Sequence, residues 1–180
     1  MVIVLLADGF EEIEALTPVD TLRRAGLTVK TVGMNGKIVV GAHNIPVICD
    51  IEPSDVELDK VKLVIFPGGM PGSTNLDASP FTDEVLAAVN RNCGRIAAIC
   101  AAPLVLGRRG LLKGKSAVCY PGFEKELVGA HIVDAPVVTD GNITTAKGMG
   151  VALEFSKELI ALTCGEDAKN KLSASIMEKR

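Results

Sequence analysis

RIAAICAAPLVLGRRG, residues 95–110, is an apolar run of strand length that turns without a spacer into an apolar run of helix length. Arg95–Ile99 reads as a short strand buried on both faces, because no polar residue alternates with its apolar ones. Ala101–Arg109 reads as a helix closed by Gly110, and Cys100 stands at the join. A strand that feeds a helix directly is the unit of a parallel sheet, since parallel neighbours need a long crossover. The unit recurs upstream. Val61–Phe66 is a buried strand that runs into Pro67-Gly68-Gly69, and Val2–Ala7 is another, ending at Asp8-Gly9. The pattern predicts an α/β fold, a three-layer sandwich around a mainly parallel sheet.

Working outward, Thr17–Ala25 reads as a helix with Pro18 in its first turn and Gly26 as its stop. Leu27–Met34 and Lys37–Val40 flank Asn35-Gly36, which predicts a hairpin. Ser79-Pro80 opens a helix that runs to about Asn92. Ser116–Cys119 is a strand candidate and Phe123–Val128 a short helix. Val137–Thr139 and Ile143–Thr145 around Asp140-Gly141 predict a second hairpin. From about Gly150 to Thr163, Val151, Phe155, Leu159 and Leu162 form one helical stripe, and a polar helix over about Glu166–Met177 follows.

The chain of 180 residues is the size of one domain, 1–180, with a sizeable core, and no linker, repeat or low-complexity segment divides it. A hydrophobic fraction of 48% with a net charge of −3 excludes disorder. Scattered Lys and Arg, no Trp and one Tyr leave no nucleic-acid footprint. No apolar run approaches the ~18–20 residues of a membrane span. MVIVLLADGF lacks the basic start of a signal peptide, so the expected location is cytoplasmic. The five cysteines, Cys49, Cys93, Cys100, Cys119 and Cys164, include no Cys-x-x-Cys pair, and neither His43 nor His131 lies near one in sequence. Reduced thiols, no metal and no cofactor are the expectation, with both histidines as ordinary surface residues.

Ligands of open parallel sheets bind beyond the carboxyl ends of the strands. Asp8–Glu14, Pro67–Thr74, Cys100–Pro103 and Tyr120–Phe123 fall there by topology alone. A strand–nucleophile–helix turn is crowded and needs small neighbours, which Ala98, Ala101 and Ala102 supply. Such a turn also aims the sulfur at a helix N-terminus, where a thiolate is favoured, so a depressed Cys100 thiol pKa is expected. Taken alone, Cys100 equally fits a small buried hydrophobe. The Gly68-Gly69 amides can face a developing oxyanion, or simply form a tight turn. Of Glu11, Glu12 and Glu14, which can all serve as solvated dipole partners, Glu14 is best placed to face inward.

DGFEEIEALTPVDTLRRAGL, FPGGMPGSTNL, AAICAAP and TAKGMGVALEF, in this order and at these spacings, resemble the ThiJ/PfpI superfamily, and most closely its branch that contains DJ-1. The resemblance runs from Val2 to about Cys164. It implies a flavodoxin-like fold of the class I glutamine amidotransferase type and a homodimer. It makes Cys100 the reactive thiol and Glu14 the carboxylate beside it, with Gly69 and Ala101 donating N–H groups to an oxyanion. Gly68 and Tyr120 would line the site, Arg24 would lie near its mouth and Asp20 nearby. Two positions depart from the family pattern. Ala101 stands where protease-like members have His, which removes the general base of a Cys-His peptidase. Tyr120 stands where many DJ-1-like members have His, and a phenol is a poorer proton shuttle at neutral pH.

The function these residues imply is cofactor-independent, cysteine-dependent chemistry on a small reactive carbonyl, of the glyoxalase or deglycase kind. The alternatives are a redox-responsive stress protein or chaperone working through oxidation of Cys100, and a ThiJ-type thiamine-thiazole role, for which no motif speaks.

Overall fold

The computed structural model describes residues 1–178. In chain order the elements are β1 (Val2–Leu6), α1 (Glu12–Arg24), β2 (Val29–Gly33), β3 (Ile38–Val40), β4 (Pro46–Ile48), β5 (Leu63–Phe66), α2 (Gly72–Ala78), α3 (Pro80–Arg91) and β6 (Arg95–Ile99). There follow α4 (Pro103–Arg108), β7 (Ser116–Ala117), β8 (His131–Ile132), β9 (Val137–Asp140), β10 (Ile143–Ala146), α5 (Ala152–Cys164) and α6 (Glu166–Ser175).

Six strands make the central sheet in the order β2-β1-β5-β6-β10-β9. All neighbours are parallel except β9, which returns antiparallel on β10 through the Asp140-Gly141 turn. This is the flavodoxin-like order, and it reverses at β1 and β5, so a crevice opens beyond their carboxyl ends. Period-two alternation sends the central strands' side chains into two apolar layers. Ile3, Leu5, Val64, Phe66, Ile96 and Ala98 face α2, α3 and α4. Val4, Leu6, Ile65, Ala97 and Ile99 face α1, α5 and α6, against Phe155 and Leu159 of the expected stripe. No helix among the described residues is long and apolar enough to cross a membrane.

Four local expectations are corrected. α1 begins at Glu12 rather than Thr17, so Pro18 is its seventh residue and not part of the first turn. Asn35-Gly36 is a turn, but the strands beside it do not pair with each other. β2 instead lies parallel to β1, where Val29 and Val32 are buried, and β3 pairs with β4. The segment expected as a loop through Thr74 enters a helix at Gly72. The helix after Cys100 starts only at Pro103.

Candidate active site

Cys100 lies directly after β6 at the carboxyl edge of the sheet and packs against both apolar layers. Its φ of +64° is a left-handed conformation that costs a non-glycine residue on the order of 1–3 kcal/mol. Two backbone bonds hold it there: its N–H donates to the Ala146 carbonyl at 2.9 Å, and its carbonyl accepts the Tyr120 N–H at 2.8 Å. The turn is lined by Ala97, Ala98, Ala101 and Ala102, all buried, as the crowding argument requires.

Glu14 reaches this turn from the first turn of α1 and is 1% exposed. Its Oε2 accepts the Gly68 N–H at 2.9 Å, and its Oε1 is turned toward Gly148. Gly68 separates the carboxyl from the cysteine. A Cβ at that position would lie 2.5 Å from Glu14 Oε2 and 2.6 Å from Cys100 Cβ, so only hydrogen fits. Gly69 has φ +87°, and a Cβ there would stand 2.4 Å from the Glu11 nitrogen. The β5–α2 loop therefore presses its bare backbone against both the β1–α1 loop and the cysteine.

The electrostatics differ from the expectation of a depressed thiol. Burial first, then the Glu14 charge, push the Cys100 thiol up to about 12, against the Gly69 and Ala101 N–H groups that favour its thiolate. Burial likewise raises Glu14 to about 7, against the thiol and the Gly68 and Met149 N–H groups. Because α4 starts three residues after the sulfur's own residue, its dipole cannot offset that burial. The two groups form one coupled acid that loses a first proton near neutrality and a second only in strong base.

Tyr120 is half exposed, and a Cβ on Gly148 would meet its ring at 3.3 Å and Glu14 Oε1 at 3.9 Å. Gly148 and Met149 thus border the carboxyl, a placement that the residues' own chemistry did not announce, although they stand in the TAKGMGVALEF motif. Asp20 and Arg24 lie further along α1 and pair with each other, Arg24 Nε to Asp20 Oδ2 at 2.7 Å, both more than half exposed. The structure does not bring them to Cys100.

His43 lies at the surface as expected, but it is paired. Its backbone N–H and its Nδ1 each meet a Glu12 carboxylate oxygen at 2.8 Å, and Glu12 is 5% exposed. With Glu11 these residues bring three potential ligand atoms within 4.8 Å, but both Glu12 oxygens are already committed to His43. The arrangement is a hydrogen-bonded pair beside the site that becomes an ion pair when His43 is protonated. Of the remaining cysteines, Cys49 and Cys119 are buried and pushed up to about 11 by that burial, while Cys93 and Cys164 are exposed.

A sequence profile described as the DJ-1/PfpI family matches residues 1–162. Protein dj-1beta of Drosophila melanogaster is 35% identical over 178 residues, covering 97% of this chain and 95% of its own. Its crystal structure superposes with a TM-score of 0.94, covering 99% of this chain and 98% of the other. A glutathione-independent glyoxalase of Caenorhabditis elegans is 32% identical, covering 94% of this chain and 91% of its own. A deglycase of Pyrococcus abyssi is 28% identical, covering 89% and 98%. By profile, by relatives along nearly its whole length and by fold, the chain belongs to the DJ-1/PfpI family.

Proposed function

We propose that the protein is a cofactor-independent, cysteine-dependent enzyme acting on small 2-oxoaldehydes, of the glyoxalase or deglycase kind. One observation carries this reading: a thiol on a strained strand-to-helix turn is coupled to a buried carboxyl of near-neutral pKa and faced by two backbone N–H groups. The names of the C. elegans and P. abyssi relatives support it. Cys100 Sγ adds to the aldehyde carbon, and the proton the pair shares goes to the aldehyde oxygen, giving a hemithioacetal. The Gly69 and Ala101 N–H groups stabilise the negative charge that builds on that oxygen. Glu14, now ionised, removes the proton from the former aldehyde carbon and returns it to the neighbouring ketone carbon through an enediol, while the hydroxyl proton on the former aldehyde oxygen passes to the ketone oxygen. Water then cleaves the resulting thioester to release a 2-hydroxy acid and restore the thiol. Gly68 spaces the carboxyl from the sulfur, and Tyr120 lines the solvent side.

Purified protein should convert methylglyoxal to lactate, and Cys100→Ser should abolish the conversion. Lactate formation that persists in Cys100→Ser would overturn the assignment. No turnover in the wild type, with selective peroxide oxidation of Cys100 seen by intact mass, would favour the redox reading instead.

The protein is also proposed to be a cytoplasmic homodimer. Five free cysteines fit a reducing compartment. Exposed Ile13, Leu16 and Ile45 share a shallow groove with Leu153 and Ile176, which suits a second copy. A monomer of 18.9 kDa in sedimentation at micromolar concentration would overturn the dimer.

A further inference from the structure

Two of the segments at the site, the Gly68-Gly69 loop and the Cys100-Ala101 turn, are each continued by a short helix, and the far ends of those two helices are tied together. The Gly68-Gly69 loop runs into α2, of seven residues, and the Cys100-Ala101 turn runs into α4, of six. Helices this short do not hold their own direction in water. At the C-terminal end of α2, Asp77 receives both arginines that close α4. Arg108 Nη1 meets Asp77 Oδ2 at 2.7 Å, Arg109 Nη1 meets Oδ1, and Arg109 Nη2 donates to the Asp77 carbonyl at 2.8 Å. Arg109 Nε also reaches Asp83 Oδ1 on α3 at 2.6 Å, and Arg108 Nε reaches Glu126 Oε2 at 2.8 Å. The Arg109 and Asp77 side chains are only 20% and 17% exposed. Multiply hydrogen-bonded guanidinium–carboxylate contacts that are partly buried impose geometry as well as attraction, unlike single surface pairs.

Continuous backbone bonds run from this clamp to the site. Ser73 N–H donates to the Gly69 carbonyl at 3.0 Å, and Leu104 N–H donates to the Ala101 carbonyl at 3.1 Å. Arg109 Nη1 is further anchored on the Val105 carbonyl at 3.1 Å. We propose that Asp77 and Arg109 are positioning residues that set the separation of the Gly69 and Ala101 N–H groups around the Cys100 sulfur. The proposal rests on the reading of Cys100 as the reactive thiol, and it adds a control of that thiol from outside the site.

The test is the pH–rate profile for alkylation of Cys100 by iodoacetamide, followed by peptide mapping of the whole protein. Asp77→Asn and Arg109→Lys should move the profile midpoint by about half a unit or more. Lys157→Met, which breaks the Lys157–Glu178 pair on the opposite face at 2.7 Å, should leave it in place. Thermal midpoints of all three separate loss of stability from loss of positioning. If the Asp77 variant does not fold, Arg109→Lys, which keeps the charge but not the fork, decides. An unmoved profile in the folded variants, or an equal shift in Lys157→Met, overturns the proposal. Alkylation needs no turnover, so a wild type inactive on methylglyoxal would sink the enzymatic reading and leave this one standing.

Discussion

At the scale of the residue, the site is a matter of which atoms are missing. Gly68 places a hydrogen where any side chain would overlap the Glu14 carboxyl and the Cys100 Cβ, and that bare position leaves room for the hydrogen bond between carboxyl and thiol. Two negative charges so close and so buried repel strongly, and the pair ionises in two steps, near 7 and near 12. Alkylation of Cys100 in the wild type should therefore show an inflection near pH 7, where the carboxyl–thiol pair loses its first proton, and climb further only in strong base. Glu14→Leu should remove that lower inflection and leave a single thiol ionisation, while Glu14→Gln keeps a donor beside the sulfur. A wild-type profile that matches Glu14→Leu would show the groups to be uncoupled. Cys100 and the glycine loop stood out by their place beyond the strands' carboxyl ends, but each alone also fitted a plain structural role, and it was the resemblance that joined them. Glu14 could not be told from Glu11 on the same grounds. What separates them is burial, and three carboxylates in four positions look alike until the helix start is known.

The helix start belongs to the scale of the element, and it misled for a physical reason. Glu12 and Glu14 are acidic yet buried, so the apolar stripe of α1 does not begin until Ala15 and the first turn reads as loop. α2 escaped in the same way: GSTNLDA buries one large apolar residue, Leu76, and is held by Asp77 and the packing of Gly72 on Phe10 rather than by its own pattern. Asn35-Gly36 formed the turn that its residues favour, but burial of β2 beside β1 decided the pairing. The β3–β4 hairpin is then fastened to the β1–α1 loop. Val40 N–H donates to Asp8 Oδ1 at 2.8 Å, Ala42 N–H donates to the Phe10 carbonyl at 2.8 Å, and His43 grips Glu12. The hydrogen bond to Glu12, followed by the charges of Glu11 and Glu12, raises the His43 pKa above its ordinary value. Burial alone would raise Glu12, and its bonds to His43 and to backbone outweigh that and lower it. A histidine raised on folding contributes stability that is present below its unfolded pKa and is lost as pH rises through the folded one. A lowered carboxylate contributes stability that is present above its unfolded pKa and is lost as pH falls through the folded one. The clasp is thus strongest in mildly acidic solution. His43→Ala should lower the thermal midpoint most near pH 6, and the gap from wild type should narrow as the buffer is taken alkaline. A gap that is constant or widens with pH would show that the ion pair carries no part of the clasp.

Across the whole molecule, the three-layer architecture was the most legible property, because it depends on runs of apolar residues rather than on any single one. Val2–Leu6, Leu63–Phe66 and Arg95–Ile99 each lie where a buried strand was expected, and their register across the sheet follows from parallel pairing. Those strands carry alternate side chains into both apolar layers, so neither layer keeps its floor when the other is lost. We infer that residues 1–180 unfold as one cooperative domain, and that the site, which draws Glu14 from one layer and its Cys100 backing from both, is lost with it. Phe66 fills one layer and Phe155 the other, and both are fully buried. Truncation of a buried Phe to Ala costs about 3–5 kcal/mol through lost transfer energy and the cavity left behind. Phe66→Ala and Phe155→Ala should each lower a single thermal transition in which far-ultraviolet circular dichroism and Cys100 protection from alkylation change together. A second transition in either variant, or Cys100 exposed in Phe66→Ala before the helical signal falls, would show that the layers unfold separately and that the chain is two cooperative units built on one sheet.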